Sequence, residues 1–234
     1  MGTAACAAIR EADDLELVAT VGRGDELRAF AEARCDVVVD FTTAEAARVA
    51  LPWLAMHGIH AVSGTTGFSD EDLTGFRDAF GSGPANCLIA ANFAISAVLA
   101  MRFAELAAPW FDTAEVVEYH HNAKIDAPSG TALATAQRMA AARGDRAWAA
   151  DPTQTEVLPG ARGGAGPSGI RVHGVRMVGM NAHQEVILGA VGQTLTIRQD
   201  SYDRSSFMPG VLLACRHIAE HPGLTIGLDR VLGI

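Results

Sequence analysis

The sequence predicts an α/β protein in which a parallel sheet flanked by helices is followed by an α+β part built on a mixed sheet. Three observations predict this arrangement. Helix-like and strand-like segments alternate up to residue 91, the pattern changes near residues 92–94, and three strand-like runs then follow one another between residues 170 and 200. With 234 residues, 49% hydrophobic and 19% charged, the chain is long and apolar enough to bury a core.

In the first half, each apolar segment has the length and pattern of a helix or a strand. The predicted helices span residues 2–13, 25–34, 43–57 and a segment that begins at Ser69, and the predicted strands span residues 15–21, 36–41, 60–63 and 87–91. The run at 36–41 is rich in β-branched residues, which is typical of a strand covered on both faces. Thr42 or Thr43 is expected to cap the helix that follows.

The second half has fewer and longer segments. We expect a mostly apolar helix over residues 93–110, a strand over 114–121, a helix from 129 to 143, strands over 170–177, 184–189 and 194–200, and a closing helix over 207–220. Turns separate the three later strands, which favours an antiparallel or mixed sheet.

Composition limits the classes of partner and location. The net charge of -9 argues against a nucleic-acid partner, which would require a basic face. Four widely spaced cysteines form no C-x-x-C pair, so we expect reduced thiols and no metal centre. The chain contains neither an apolar run of about 18 residues nor a secretory signal, so we expect no membrane partner and a cytoplasmic location.

Two short motifs follow predicted strands. Gly64-Thr65-Thr66-Gly67 comes after one strand, and Ala90-Ala91-Asn92-Phe93 ends the next. Either motif alone also fits a structural turn. Because ligands of an open parallel sheet bind beyond the carboxyl ends of its strands, the two together favour a nucleotide crevice.

The usual phosphate-binding glycine-rich turn is nearly absent. The chain begins with Met1 and Gly2 at the predicted first helix, so we expect a truncated or mis-started chain; the alternative is a domain that never had the turn. The acidic residue that often holds the ribose hydroxyls is also missing after residues 15–21. Arg23 stands there instead and either meets a 2′-phosphate or lies in a solvated loop.

The segment from His120 to Thr131 is the most specific motif. Histidine suits proton transfer near neutral pH, and His120 and His121 end a predicted strand. Lys124 adds a fixed cation, and Ser129-Gly130-Thr131 opens a helix whose free N–H groups attract an anion. The segment therefore predicts a carboxylate site with a proton donor. A metal site and a purely structural role are the competing interpretations.

Taken together, these residues resemble the 4-hydroxy-tetrahydrodipicolinate (dihydrodipicolinate) reductases of lysine biosynthesis, and the order of features is similar to the actinobacterial branch. The matching segments are 39–42, 64–68, 90–93, 118–132, 175–176, 183–186 and 204–207. The pattern of paired histidines, lysine and Pro-Ser-Gly-Thr carries most of the specificity.

The resemblance implies a Rossmann-like cofactor domain over residues 1–93 and 204–234, a substrate and tetramerisation domain over 94–203, and a homotetramer. It implies hydride transfer from NADH or NADPH to a cyclic dicarboxylate, with loss of water. The implied catalytic residues are His120, as proton donor, and Lys124. The implied substrate ligands are His121, Ser129, Gly130 and Thr131, and the implied cofactor ligands are Gly64, Thr65, Thr66, Ala90, Ala91, Asn92, Phe93, Arg23 and Met1.

Three other functions stay open at this stage. The first is a truncated, cofactor-poor homologue that binds dicarboxylates but reduces little. The second is a non-catalytic nucleotide-sensing protein, against which the intact set of His120, Lys124 and Thr131 argues. The third is another two-domain reductase, such as an amino-acid or semialdehyde dehydrogenase, which would lack the adjacent histidines. Arg23 favours NADPH or dual cofactor use.

Overall fold

The structure is a computed structural model that describes residues 1–234, and it divides into two compact units. The first unit contains Met1–Ile95 together with Arg204–Ile234, and the second contains Ser96–Asp203. The helices are α1 Gly2–Glu11, α2 Arg28–Glu32, α3 Ala44–Met56, α4 Asp70–Gly81, α5 Ile95–Ala107, α6 Gly130–Arg143, α7 Met208–His217 and α8 Asp229–Leu232. The strands are β1 Val37–Asp40, β2 His60–Ser63, β3 Cys87–Ile89, β4 Thr113–His120, β5 Gly164–Ala165, β6 Arg171–Arg176, β7 Ala182–Ala190, β8 Gln193–Ser201 and β9 Leu224–Ile226.

The first unit contains a four-stranded parallel sheet in the order β1-β2-β3-β9. The helix α3 packs Leu51 and Leu54 into its core, and α4 adds Phe76 and Phe80. The start of α3 is fixed by Thr43, whose hydroxyl accepts a hydrogen bond from the Ala46 amide. All members of this sheet run the same way, so the carboxyl ends of β1, β2 and β3 lie at one edge.

One predicted strand of the first unit is wrong. Residues 15–21 form no backbone ladder with any strand, and β1 is the edge of the sheet on that side. The segment instead lines a groove of about 310 Å³ with α1 and β1. An alternating sequence forms a strand only where a neighbouring backbone satisfies its hydrogen bonds, and this segment has no such neighbour. The predicted helix over residues 25–34 is also shorter than expected, because α2 contains only five residues.

The second unit contains a five-stranded mixed sheet in the order β5-β6-β4-β7-β8. The central strand β4 runs parallel to β6 and antiparallel to β7. One helix, α6, buries Ala132, Ala136 and Met139 in a core that also includes Val116 of β4 and Val186 of β7. The predicted α/β class, with a parallel sheet followed by a mixed sheet, is confirmed.

Two features of the sheets escaped sequence reasoning. The strand β9 contains three residues and pairs with β3 in parallel, although 137 positions separate Leu224 from its partner Cys87. The strand β5 contains only Gly164 and Ala165. Such short segments show no measurable alternation, so no periodicity predicts them. None of the helices combines the length and the apolar character that crossing a membrane requires.

Candidate active site

The most specific predicted motif forms the connection between β4 and α6, which we call the β4–α6 loop (residues 121–129). The strand ends at His120 and the helix begins at Gly130. Pro128 disfavours helical backbone at the residue before it, so the helix begins only beyond this point. Ser129 is its N-cap: its hydroxyl accepts a hydrogen bond from the Ala132 amide at 3.2 Å.

A buried carboxylate, Glu118, lies at the base of this loop. It is fully buried, at 0% exposure. Its Oε2 accepts hydrogen bonds from His120 Nδ1 at 2.5 Å and from Arg176 Nη1 at 2.8 Å. Its Oε1 accepts from Arg176 Nη2 at 2.8 Å and from the Ser129 amide at 3.1 Å. One side chain therefore joins the end of β4, the end of β6 and the start of α6.

The electrostatics of this cluster follow from burial and charge together. Burial raises the pKa of the Glu118 carboxyl, but hydrogen bonds from Arg176 and His120 outweigh burial and leave the pKa below its usual value. Burial lowers the pKa of the His120 imidazole, and Glu118 opposes this change without cancelling it. The net pKa of His120 is below the ordinary value of 6.5. Glu118 is therefore a carboxylate, and the surroundings of His120 favour its neutral form.

The cation of the loop, Lys124, is held by a neighbour in the loop. Its Nζ donates to both carboxylate oxygens of Asp126 at 2.8 Å. The hydrogen bond from Lys124 lowers the pKa of Asp126, which is exposed. The main chain of Asp126 is itself fixed, because its carbonyl accepts a hydrogen bond from Arg176. The lysine thus carries its charge at a defined place beside the histidine pair.

The predicted substrate ligands differ in how accessible they are. His121 and Gly130 are exposed, and Thr131 is half-buried. Ser129 is only 4% exposed, and both its hydroxyl and its amide are used, the first as the helix cap and the second on Glu118. The structure therefore brings His120, His121, Lys124, Gly130 and Thr131 to one loop and helix start, while the Ser129 side chain faces inward.

A second set of predicted residues lies at the carboxyl ends of β1, β2 and β3 in the first unit. Here the buried carboxylate is Asp40, which ends β1. Its Oδ2 accepts from the hydroxyls of Ser63 at 2.7 Å and Thr65 at 2.8 Å, and its Oδ1 accepts from the Thr42 hydroxyl at 2.6 Å and amide at 3.0 Å. The Thr65 hydroxyl is therefore held on the buried side by Asp40, whereas Thr66 is exposed.

Close packing shapes the same edge of the sheet. A Cβ atom on Gly64 would lie 2.1 Å from Cε1 of Phe41, so only glycine fits beside that ring. The Phe41 ring in turn contacts the Phe93 ring edge to face, with centroids 5.8 Å apart. Gly67 has a positive φ of 87°, which glycine adopts without strain. The turn after β2 is thus fixed by packing as well as by Asp40.

The remaining predicted cofactor residues are those at the end of β3, together with Met1 and Arg23. Ala90 and Phe93 are buried, Ala91 is exposed, and Asn92 accepts a hydrogen bond from the Ala94 amide. Met1 is the N-cap of α1, which has no side-chain cap. Arg23 is exposed in a turn closed by Asp25, whose carboxylate accepts from the Gly22 amide.

The roles of four side chains escaped sequence reasoning, although all four lie in segments that carry the family resemblance: Asp40, Glu118, Asp126 and Arg176. For Asp40 and Glu118 the sequence does contain a signal, because each is an acidic residue inside an otherwise apolar strand. Burying such a residue costs free energy unless it is hydrogen-bonded. Arg176 gave no such signal, since 58 positions separate it from Glu118.

The chain matches two family models over nearly its whole length. Residues 1–93 match the model described as dihydrodipicolinate reductase, N-terminus, and residues 96–232 match the corresponding C-terminus model. A 4-hydroxy-tetrahydrodipicolinate reductase of Corynebacterium aurimucosum is 55% identical over 100% of this chain and 95% of its own length. One of Nocardia farcinica is 54% identical with the same coverage.

A solved structure gives the same result. The dipicolinate-bound dihydrodipicolinate reductase of Paenisporosarcina sp. TG-14 superposes with a TM-score of 0.87 at 35% identity, covering 98% of this chain and 94% of that one. The predicted actinobacterial resemblance agrees with the organisms of the sequence relatives. The chain therefore belongs to the dihydrodipicolinate reductase family of NAD(P)H-dependent oxidoreductases.

Proposed function

We propose that this chain catalyses the reaction of its family, the NAD(P)H-dependent reduction of 4-hydroxy-tetrahydrodipicolinate to tetrahydrodipicolinate in lysine biosynthesis, with His120 as proton donor. The reaction consumes one hydride and one proton and releases one water molecule. The observation that carries the role of His120 is its hydrogen bond from Nδ1 to the buried Glu118 carboxylate. Because Nδ1 is occupied in this way, Nε2 is the atom that gives and regains the proton.

The substrate carries two carboxylates, and the second unit offers matching groups. Lys124 supplies a fixed positive charge, and the exposed His121 and Gly130 with Thr131 supply further donors at the start of α6. Lys124 would exchange its contact with Asp126 for one with a substrate carboxylate. Ser129 contributes as the cap that fixes this helix start. The dipicolinate bound to the Paenisporosarcina protein, itself a cyclic dicarboxylate, supports this assignment.

The first unit is suited to hold the cofactor. The first-turn amides of α1, which follows Met1, have no side-chain cap, and such a helix start accepts a phosphate. Thr66 and Ala91 are exposed at the carboxyl ends of β2 and β3, where Gly64, Thr65, Ala90, Asn92 and Phe93 shape the backbone. When bound, the reduced nicotinamide supplies the hydride. We assign Arg23 to the 2′-phosphate of NADPH, and both cofactors are expected to serve.

The test is a pair of measurements on the chain as it stands. Oxidation of NADPH or NADH, followed at 340 nm, should depend on 4-hydroxy-tetrahydrodipicolinate. His120→Ala should lower kcat by about 10²–10³, the scale of losing a general acid. Calorimetric titrations with NADPH and with dipicolinate test the two binding steps separately.

The possible outcomes separate the competing functions. Dipicolinate binding without NADPH binding would identify a cofactor-poor dicarboxylate-binding homologue. NADPH binding without any turnover would indicate a nucleotide sensor. An unchanged kcat in His120→Ala would remove the assigned proton donor.

The family also implies properties that stay predictions for this chain. They are a homotetramer, a cytoplasmic location, and a division of labour in which residues 1–93 and 204–234 bind cofactor while 94–203 bind substrate and form the tetramer. Light scattering coupled to size-exclusion chromatography measures the first of these.

A further inference from the structure

We propose that Glu118 is a positioning residue for this reaction: it fixes the orientation and tautomer of His120 and holds the start of α6 in register with it. The inference rests on the proposed function, because it concerns proton transfer by His120. Glu118 is 0% exposed, so it acts only through the groups that it touches.

The hydrogen bonds of Glu118 argue against a direct part for it in proton transfer to the substrate. Each oxygen accepts two donors, His120 and Arg176 on Oε2, and Arg176 and the Ser129 amide on Oε1. A carboxylate whose oxygens are already occupied in this way is a poor proton acceptor in catalysis. The paired hydrogen bonds from the Arg176 guanidinium also prevent the carboxylate from rotating.

The tautomer of His120 follows from this arrangement. An ionised carboxylate only accepts hydrogen bonds, so Nδ1 must carry the hydrogen that lies between it and Glu118. Nε2 then holds a proton only when the ring is charged. A glutamine in place of Glu118 carries hydrogens on its amide nitrogen, and it therefore cannot accept from all of these donors.

The charges around His120 make Glu118 the group that favours its protonated form. Lys124 of the loop and Arg176 of β6 both disfavour a charged imidazole, and Glu118 of β4 favours it. Asp126 also faces this group of side chains, but its carboxylate binds Lys124. Without Glu118, His120 would face two cations and would lose its protonated form at lower pH.

The neighbouring strand β6 leaves space for the Glu118 carboxylate. Gly174 of β6 lies directly across from Glu118 in the sheet. A Cβ atom at position 174 would lie 3.1 Å from Glu118 Oε1, closer than ordinary van der Waals contact. The glycine therefore lets Glu118 keep the position from which it reaches both His120 and Arg176.

The same strand supplies a matched control. Glu115 also accepts hydrogen bonds from a histidine and an arginine, His173 Nε2 and Arg162 Nη2, both at 2.5 Å. It lies three positions before Glu118, so it points to the other face of the sheet, and its side chain is 31% exposed. Loss of either carboxylate breaks a Glu–His–Arg cluster, but only Glu118 contacts His120.

The experiment compares wild type, Glu118→Gln, Glu118→Asp and Glu115→Gln. The pKa of His120 is read without substrate from its imidazole NMR signal, which is assigned by its loss in His120→Gln. In Glu118→Gln this pKa should fall, and the decline of kcat/KM with rising pH should begin at lower pH. At pH 7, kcat should drop by about 10- to 100-fold, the scale of a misplaced catalytic group. Glu115→Gln should change none of these three quantities.

Glu118→Asp tests the negative charge of the carboxylate separately from the length of its side chain. It keeps the negative charge, so the pKa of His120 should lie nearer the wild-type value than in Glu118→Gln, while kcat stays reduced because the shorter side chain cannot hold both oxygens in place. If Glu118→Gln does not fold, as judged by circular dichroism, Glu118→Asp alone decides.

The outcomes are distinguishable from failure of the proposed function. An inactive wild type would remove the proposed function, and the NMR titration would still test the effect of Glu118 on His120. An unchanged pKa and an unchanged pH profile in Glu118→Gln would overturn the inference. The inference would also be overturned if Glu115→Gln changed the His120 pKa and the pH profile as much as Glu118→Gln does. If Glu118→Gln is unfolded, a wild-type kcat in Glu118→Asp would overturn it.

Discussion

Each unit of the molecule contains one buried carboxylate at its predicted site, and the two differ in what surrounds them. Asp40 of the first unit, 6% exposed, accepts hydrogen bonds from the hydroxyls of Ser63, Thr65 and Thr42 and from one amide. Glu118 of the second unit accepts from an arginine, a histidine and one amide. The first carboxylate is satisfied by neutral donors alone, whereas three of the four hydrogen bonds to the second come from charged or titratable side chains.

The difference in hydrogen-bond donors indicates a different role for each carboxylate. The donors to Asp40 are hydroxyls and an amide, so none of the groups that it holds in the turn after β2 is a histidine or a cation. Glu118 is bonded to a histidine, so its influence depends on the charge of that histidine. We therefore expect changes at Asp40 to affect stability and cofactor binding, and changes around Glu118 to affect the chemical step.

Beyond His120 itself, the largest effect should come from the cation of the second unit. In Lys124→Ala, kcat/KM should fall by about 100-fold or more, because both proton donation and carboxylate binding lose a fixed charge. Steady-state kinetics with varied 4-hydroxy-tetrahydrodipicolinate measure this, and both kcat and KM should change. Arg23→Ala is the control for charge loss elsewhere: it should raise only the KM for NADPH. A Lys124 variant with wild-type kcat would contradict the assignment.

A smaller effect is expected at the carboxylate of the first unit. Asp40→Asn puts N–H groups where an oxygen accepts hydroxyl or amide donors, so the free energy of unfolding should fall by about 1–3 kcal/mol. Urea denaturation measures this loss. The KM for NADPH should rise, while the pH at which kcat/KM declines should stay at the wild-type value. A shifted pH profile in this variant would mean that the two carboxylates do not differ as described.

The smallest effects concern the helix caps. Ser129→Ala and Thr43→Ala each remove one cap hydrogen bond, to α6 and α3 respectively, and each should lower the free energy of unfolding by about 1 kcal/mol. Only Ser129→Ala should also raise the KM for the dicarboxylate, since α6 begins at the proposed substrate site. If the two variants had equal KM values for the dicarboxylate, the Ser129 cap would have no part in substrate binding.

Sequence reasoning found the parts of the molecule whose signals are local. Thr43 as one of two candidate caps, the helix start at Ser129-Gly130-Thr131, the β-branched run of β1 and the loop after His120 could all be predicted, because each depends on neighbouring residues. That Ser129 is itself the cap was not predicted. The residues 15–21 were misassigned, because a strand needs a partner that periodicity does not reveal. The paired hydrogen bonds between Arg176 and Glu118 depend on the parallel pairing of β4 with β6, which the sequence does not specify.

The contact between Gly64 and Phe41 has a consequence for how this sequence can change. The ring of Phe41 fills the space that a side chain at position 64 would need, and it also leans on Phe93. The three positions therefore constrain one another and should vary jointly rather than singly. If position 64 alone is randomised, folded variants should almost all keep glycine. If smaller residues are also allowed at position 41, alanine at position 64 should be recovered as well.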